Sequence, residues 1–60
     1  MNTAHFEFDL HFHTALEALR RGDVGAARLG LRFAMGAANR SGCKRRRSAA
    51  CRVFSWLRAA

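Results

Sequence analysis

Apolar and polar residues alternate strictly from His5 to His13, where Phe6, Phe8, Leu10 and Phe12 are separated by His5, Glu7, Asp9, His11 and His13. Strict period two is the pattern of a half-buried strand. A lone strand leaves its ladder unsatisfied, so it would have to pair with a second copy or with a partner. A second reading begins a helix at Asp9 and places Phe12, Ala15, Leu16 and Leu19 on one face. Of the two, the alternation favours an extended or partly paired arm ahead of the first helix.

The pattern changes at Thr14. TALEALRR, residues 14–21, is rich in helix formers, and Thr14 with Glu17 makes a capping box. Gly22 then supplies the C-terminal stop, and Asp23 is placed to cap the next helix. A Gly-Asp turn between two helical patterns predicts an αα-hairpin.

The second helix is expected from Val24 to about Asn39, and its circumference is unusual. Arg28, Arg32 and Asn39 fall in one wedge, with Leu29 and Phe33 to one side and Val24, Leu31 and Met35 to the other. Ala26, Ala27, Gly30, Ala34 and Ala37 form a small-residue seam. The apolar and small arc spans roughly 260°, far wider than the stripe of an ordinary surface helix. Gly25, Gly30 and Gly36 each weaken the helix by about 1 kcal/mol relative to Ala, a cost that close approach of another helix offsets. A chain this short has few partners for so broad a surface, and a homodimer is the expected consequence.

Asn39, Ser41 and Gly42 interrupt the pattern, and a third helix is expected from Cys43 or Lys44. Ala50, Val53, Phe54 and Leu57 recur at i, i+3, i+4 and i+7, with Ala49 and Trp56 widening that face. Lys44, Arg45, Arg46 and Arg47 crowd its first turn, where the helix dipole is already positive. An external anion at that end would relieve the conflict. The expected architecture is therefore mainly α: an arm over 1–13, a helical hairpin over 14–40 and a basic amphipathic helix over 41–60, in a single small domain.

Charge sharpens this division. Residues 1–13 carry −2, residues 14–40 carry +3 and residues 41–60 carry +6, for a total of +7 over 60 residues. Ten of the eleven basic residues are Arg, the side chain suited to forked recognition of phosphate and carboxylate. Such asymmetry points the last third toward nucleic acid, an anionic membrane surface or an acidic protein groove, against the plainer reading of a solvated basic face. Lys44, Arg45, Arg46, Arg47 and Arg52 are the candidate anion- or nucleic-acid-binding residues.

Candidate chemistry is sparse. The His-x-His pair near two carboxylates could hold zinc or nickel on a strand face, although a mixed polar face gives the same letters, and neither metal nor cofactor is expected. Cys43 and Cys51, eight residues apart, would lie about 12 Å apart along one helix, too far for a mutual disulfide. Small, buried, reduced side chains are the expected roles, which fits a cytoplasmic setting. No phosphate loop, dinucleotide fingerprint, nucleophile elbow or convincing acid pair is present, and enzymatic activity is not expected. No secretory leader or run long enough to span a bilayer is visible, and stable membrane insertion is not expected. A strand followed by two helices also suits a ribbon-helix-helix repressor, but Glu7 and Asp9 would then face DNA phosphates.

The segment ALEALRRGDVGAARLGLRFAM, from Ala15, resembles the helical hairpin of tetratricopeptide units. Its continuation narrows the likeness. Gly22, Ala27, Ala34, Asn39, Arg47 and Cys51, with the closing Arg-Ser-Ala-Ala-Cys, resemble the ANR family of small bacterial and phage regulators over residues 14–52. Cys43 stands where that pattern has Trp, and the interval from Asn39 to Arg47 is one residue longer than in that pattern. The resemblance implies a helical regulator that binds AraC/XylS-type transcription activators and blocks their dimerisation or DNA binding. Helix-in-groove recognition would then use Leu29, Phe33, Phe54 and Leu57 as apolar anchors. The rival expectations are direct nucleic-acid binding through the Arg cluster, and inhibition of another host protein by a phage-encoded chain.

Overall fold

The computed structural model describes residues 3–59, which form three α-helices: α1 (Thr3–Arg20), α2 (Val24–Ser41) and α3 (Lys44–Ala59). The fold is mainly α. The first correction concerns residues 5–13, which are helical and run without a break into residues 14–20. The expected arm over 1–13 is thus the first half of α1, with residues 1 and 2 outside the described residues. A helix satisfies its own backbone groups, which a lone strand cannot do. It also sorts the alternating residues differently: Ala4, Phe8, Ala15 and Ala18 turn inward, while Phe6 and Leu10 stay exposed. Thr14 consequently caps nothing. It lies mid-helix, and its hydroxyl donates to the Leu10 carbonyl at 2.9 Å.

Both turns rest on glycine. Gly22 adopts φ 78°, its N–H donates to the Leu19 carbonyl at 3.0 Å, and the Asp23 N–H reaches the Ala18 carbonyl at 2.9 Å. This pair of bonds is a Schellman closure of α1. Asp23 then begins α2 as expected, its Oδ1 accepting from the Ala26 N–H at 3.0 Å. At the second turn Gly42, φ 71°, donates to the carbonyls of Ala38 and Asn39. Ser41 Oγ donates to the Ala38 carbonyl at 2.9 Å and accepts from the Cys43 N–H at 3.2 Å.

α2 runs antiparallel to α1 and carries the centre of the molecule. Ala27, Gly30, Leu31, Ala34, Ala37 and Ala38 are buried along it. At Gly30 the helices meet closely: a Cβ built there would lie 3.0 Å from the Ala15 Cβ and 3.3 Å from the His11 carbonyl oxygen. Apart from the exposed Ala26, the small-residue seam is therefore filled within one chain, by a longer α1 than the pattern suggested and by α3. Of the broad apolar arc that suggested a homodimer, Val24, Ala26, Leu29 and Phe33 remain exposed. One apolar cluster joins Phe8, Ala34, Ala37, Ala38 and Ala50; another joins Ala15, Ala18, Ala27, Leu31 and Leu57. Phe12 packs against both, and its ring stacks on Phe8 with centroids 5.0 Å apart.

α3 is held to the hairpin by Leu57 and Ala50 in the core and by Arg46 at its start. The guanidinium of Arg46 grips Asp9 on α1 with both carboxylate oxygens, at 3.3 and 3.4 Å, and lies 6.0 Å from the Phe8 ring centroid. Trp56, expected to widen the buried face, is instead exposed, as is Cys51. On α3 these two residues fall to either side of the line through Ala50, Val53 and Leu57.

Candidate interaction surfaces

The four residues expected to act together as apolar anchors do not share a face. Leu57 is only 3% exposed and belongs to the core, because its position four residues after Val53 points it at Leu31 and Ala15. It cannot meet a partner. Phe54 is half-buried on the side of α3 that faces α2. Leu29 and Phe33, one turn apart on α2, are 55% and 53% exposed.

α1 also leaves large apolar side chains exposed. Phe6 and Leu10, again one turn apart, are 65% and 52% exposed. His11, beside Leu10, tilts its ring against Phe33 at a centroid distance of 5.2 Å, linking the two helices. Glu7 and Arg40 close the same seam with a 2.7 Å ion pair. The sequence signal for Phe6 and Leu10 was present as an i, i+4 pair, but it was hidden inside the period-two alternation.

The expected cation cluster is also divided by the helix. Arg46 is occupied by Asp9 and by a 3.6 Å contact to the Cys43 sulfur. Arg45 and Arg52, seven residues apart, share one exposed side of α3. Lys44 and Arg47 turn toward the end of α2, where they line a small cleft of about 120 Å³ with Ala38, Asn39, Gly42 and Cys43. Cys43 is half-buried at the start of α3, and its thiol is pushed below the ordinary thiol range. The Arg46 backbone N–H is the main cause, and its guanidinium adds to it; partial burial works the other way. The Asp9 carboxylate in turn tightens the hold of Arg46 on its proton.

A larger groove has no counterpart in the sequence reading. About 660 Å³ of space lies between α2 and α3, lined by Arg32, Met35, Gly36 and Asn39 from one helix and by Cys51, Phe54, Ser55 and Arg58 from the other. Each wall is an i, i+3, i+4, i+7 set, and this matched spacing is the signal the sequence carried. No acidic side chain lines it. The histidines, by contrast, are scattered, because neighbours on one strand face are spread round a helix. Among the described residues no group of three or more His, Cys, Asp or Glu could hold a metal ion. No helix among them is long and apolar enough to cross a membrane. Comparison with family models, curated proteins and solved structures finds no match to this chain.

Proposed function

We propose that the chain is a small non-catalytic regulator that works in the cytoplasm by binding a protein partner and blocking it. The partner the family resemblance implies is a transcription activator of the AraC/XylS type. The observation that carries this reading is the set of large apolar side chains left exposed on α1 and α2: Phe6, Leu10, Leu29 and Phe33 each leave more than half their surface in water, and Leu29 and Phe33 lie one turn apart on α2. Isolated exposed apolar side chains are commonplace, but large ones grouped on one helix face, as Leu29 and Phe33 are, mark interaction sites. Aromatic residues in such sets supply most of the binding free energy. The His11 ring against Phe33 and the Glu7–Arg40 pair fix the two helices relative to each other, so the surface is organised before binding. A second copy of the chain would compete for this same face.

The test is co-purification with an AraC/XylS-type activator. Phe33→Asp introduces a charge on an exposed position, so the fold should survive while partner binding is lost. Undiminished co-purification of a folded Phe33→Asp protein would remove this face from the proposal. Direct nucleic-acid binding is the second reading. It is favoured by Lys44, Arg45, Arg47 and Arg52, which form no ion pair among the described residues and lie exposed on α3.

A further inference from the structure

We propose that the groove between α2 and α3 is a separate binding site for an acidic amphipathic helix of a partner protein. Three features of the groove converge on this occupant. Its walls are two antiparallel helices presenting i, i+3, i+4, i+7 sets, and the furrow between such helices accepts the apolar stripe of another helix. Its apolar lining is Met35 and Phe54, with the small residues Gly36 and Cys51 beside them. Met adapts its shape to an incoming side chain. At Gly36 an added Cβ would meet nothing nearer than an Arg40 guanidinium nitrogen at 3.5 Å, so the groove is open there.

Charge selects the sign of the guest. Arg32 and Arg58 line the groove, and Lys44 and Arg47 line the cleft that adjoins it at Asn39. None of these four cations forms an ion pair among the described residues. From Arg47 to Arg58 the wall runs about 16 Å, or three helical turns of a bound peptide. Carboxylates flanking the guest's apolar stripe would meet Arg32 and Arg58 at one end and Lys44 and Arg47 at the other.

The charge pattern argues against a second copy as occupant. Glu7, Asp9 and Glu17 are engaged by Arg40, Arg46 and Arg20, and Asp23 caps α2, so every acid of the chain already has a role. Single-stranded nucleic acid fits less well. Stacking needs an exposed ring, whereas Phe54 is half-buried and the exposed Trp56 does not line the groove. The site is independent of the apolar α1/α2 surface, since Phe33 comes one residue after Arg32 and so lies about 100° further round α2.

The experiment uses the full chain and a labelled synthetic helix of about fifteen residues, with Leu at i, i+3, i+4, i+7 and Glu on its flanks. Amide shifts mapped by NMR should concentrate at Gly36, Asn39 and Ser55. Affinity by anisotropy should fall at least about tenfold in the Arg32→Glu/Arg58→Glu double variant and stay unchanged in Phe33→Asp. The proposal is overturned if the Leu/Glu helix moves no groove amides. It is equally overturned if a Leu/Lys helix of the same pattern binds as well, or if oligothymidine displaces the Leu/Glu helix from those amides. The Lys-helix comparison is made on the unaltered protein, so the result does not depend on a variant folding. Loss of the activator interaction in Phe33→Asp with groove binding intact would separate this site from the proposed function.

Discussion

Gly30 and Gly36 lie on the same helix and meet opposite surroundings. At Gly30 a methyl group would press on Ala15 at 3.0 Å and on its backbone at 3.3 Å, where nothing can swing aside. At Gly36 the nearest atom is the far end of Arg40, at 3.5 Å. Gly30→Ala should therefore cost about 1–3 kcal/mol through overpacking, only partly offset by the better helix propensity of Ala. Gly36→Ala should gain about 0.5–1 kcal/mol. Thermal unfolding would report a lower Tm for the first and a higher Tm for the second, and equal shifts would mean that α1 and α2 are not in close contact at Ala15. Residue-scale chemistry was the most legible level in the sequence. Gly22 and Asp23 announced the turn because their roles depend only on local backbone geometry. The distinction between Gly30 and Gly36 was not legible, since it depends on what a different helix places opposite each.

The elements were legible where local signals stood alone. α2 and α3 begin at or beside their expected starts because Asp23 and the Ser41–Cys43 turn fix them. α1 was not, because alternation over residues 5–13 satisfies a strand and does not forbid a helix. Phe8 and Phe12 are four residues apart, enough to reach the core from one helical face, and the remaining apolar pair is left in water. Leu10 separates the two readings by experiment. Leu10→Pro in a helix interior removes a backbone hydrogen bond and should cost about 3 kcal/mol or more, whereas Leu10→Ala at this exposed site should cost little. Circular dichroism through urea unfolding would show the difference. A Pro variant as stable and as helical as the Ala control would restore the extended arm. The same change of element explains why the histidines do not gather and why Phe6 and Leu10 are left exposed.

For the whole molecule, the division of labour among its faces could not be read from periodicity alone. Each helix has one expected apolar stripe, but three packed helices decide which stripe is consumed. Leu57 and the small-residue seam went into the core, while Leu29 and Phe33 were left outside. The charge of +7 remains spread over the surface, with only three acids paired to Arg among the described residues. A protein this basic will collect nucleic acid at low ionic strength whatever its role, so salt is the variable that discriminates. The most direct measurement is size-exclusion chromatography with light scattering on the full chain, with a labelled duplex and a labelled single strand, from low salt through about 0.15 M and above. A protein-directed regulator leaves both nucleic acids eluting free at the higher salt, with Phe33→Asp behaving like the parent. A complex that persists there, weakens as salt rises further and is lost on replacing Arg45, Arg47 and Arg52 would contradict it and make the cations of α3 the functional surface.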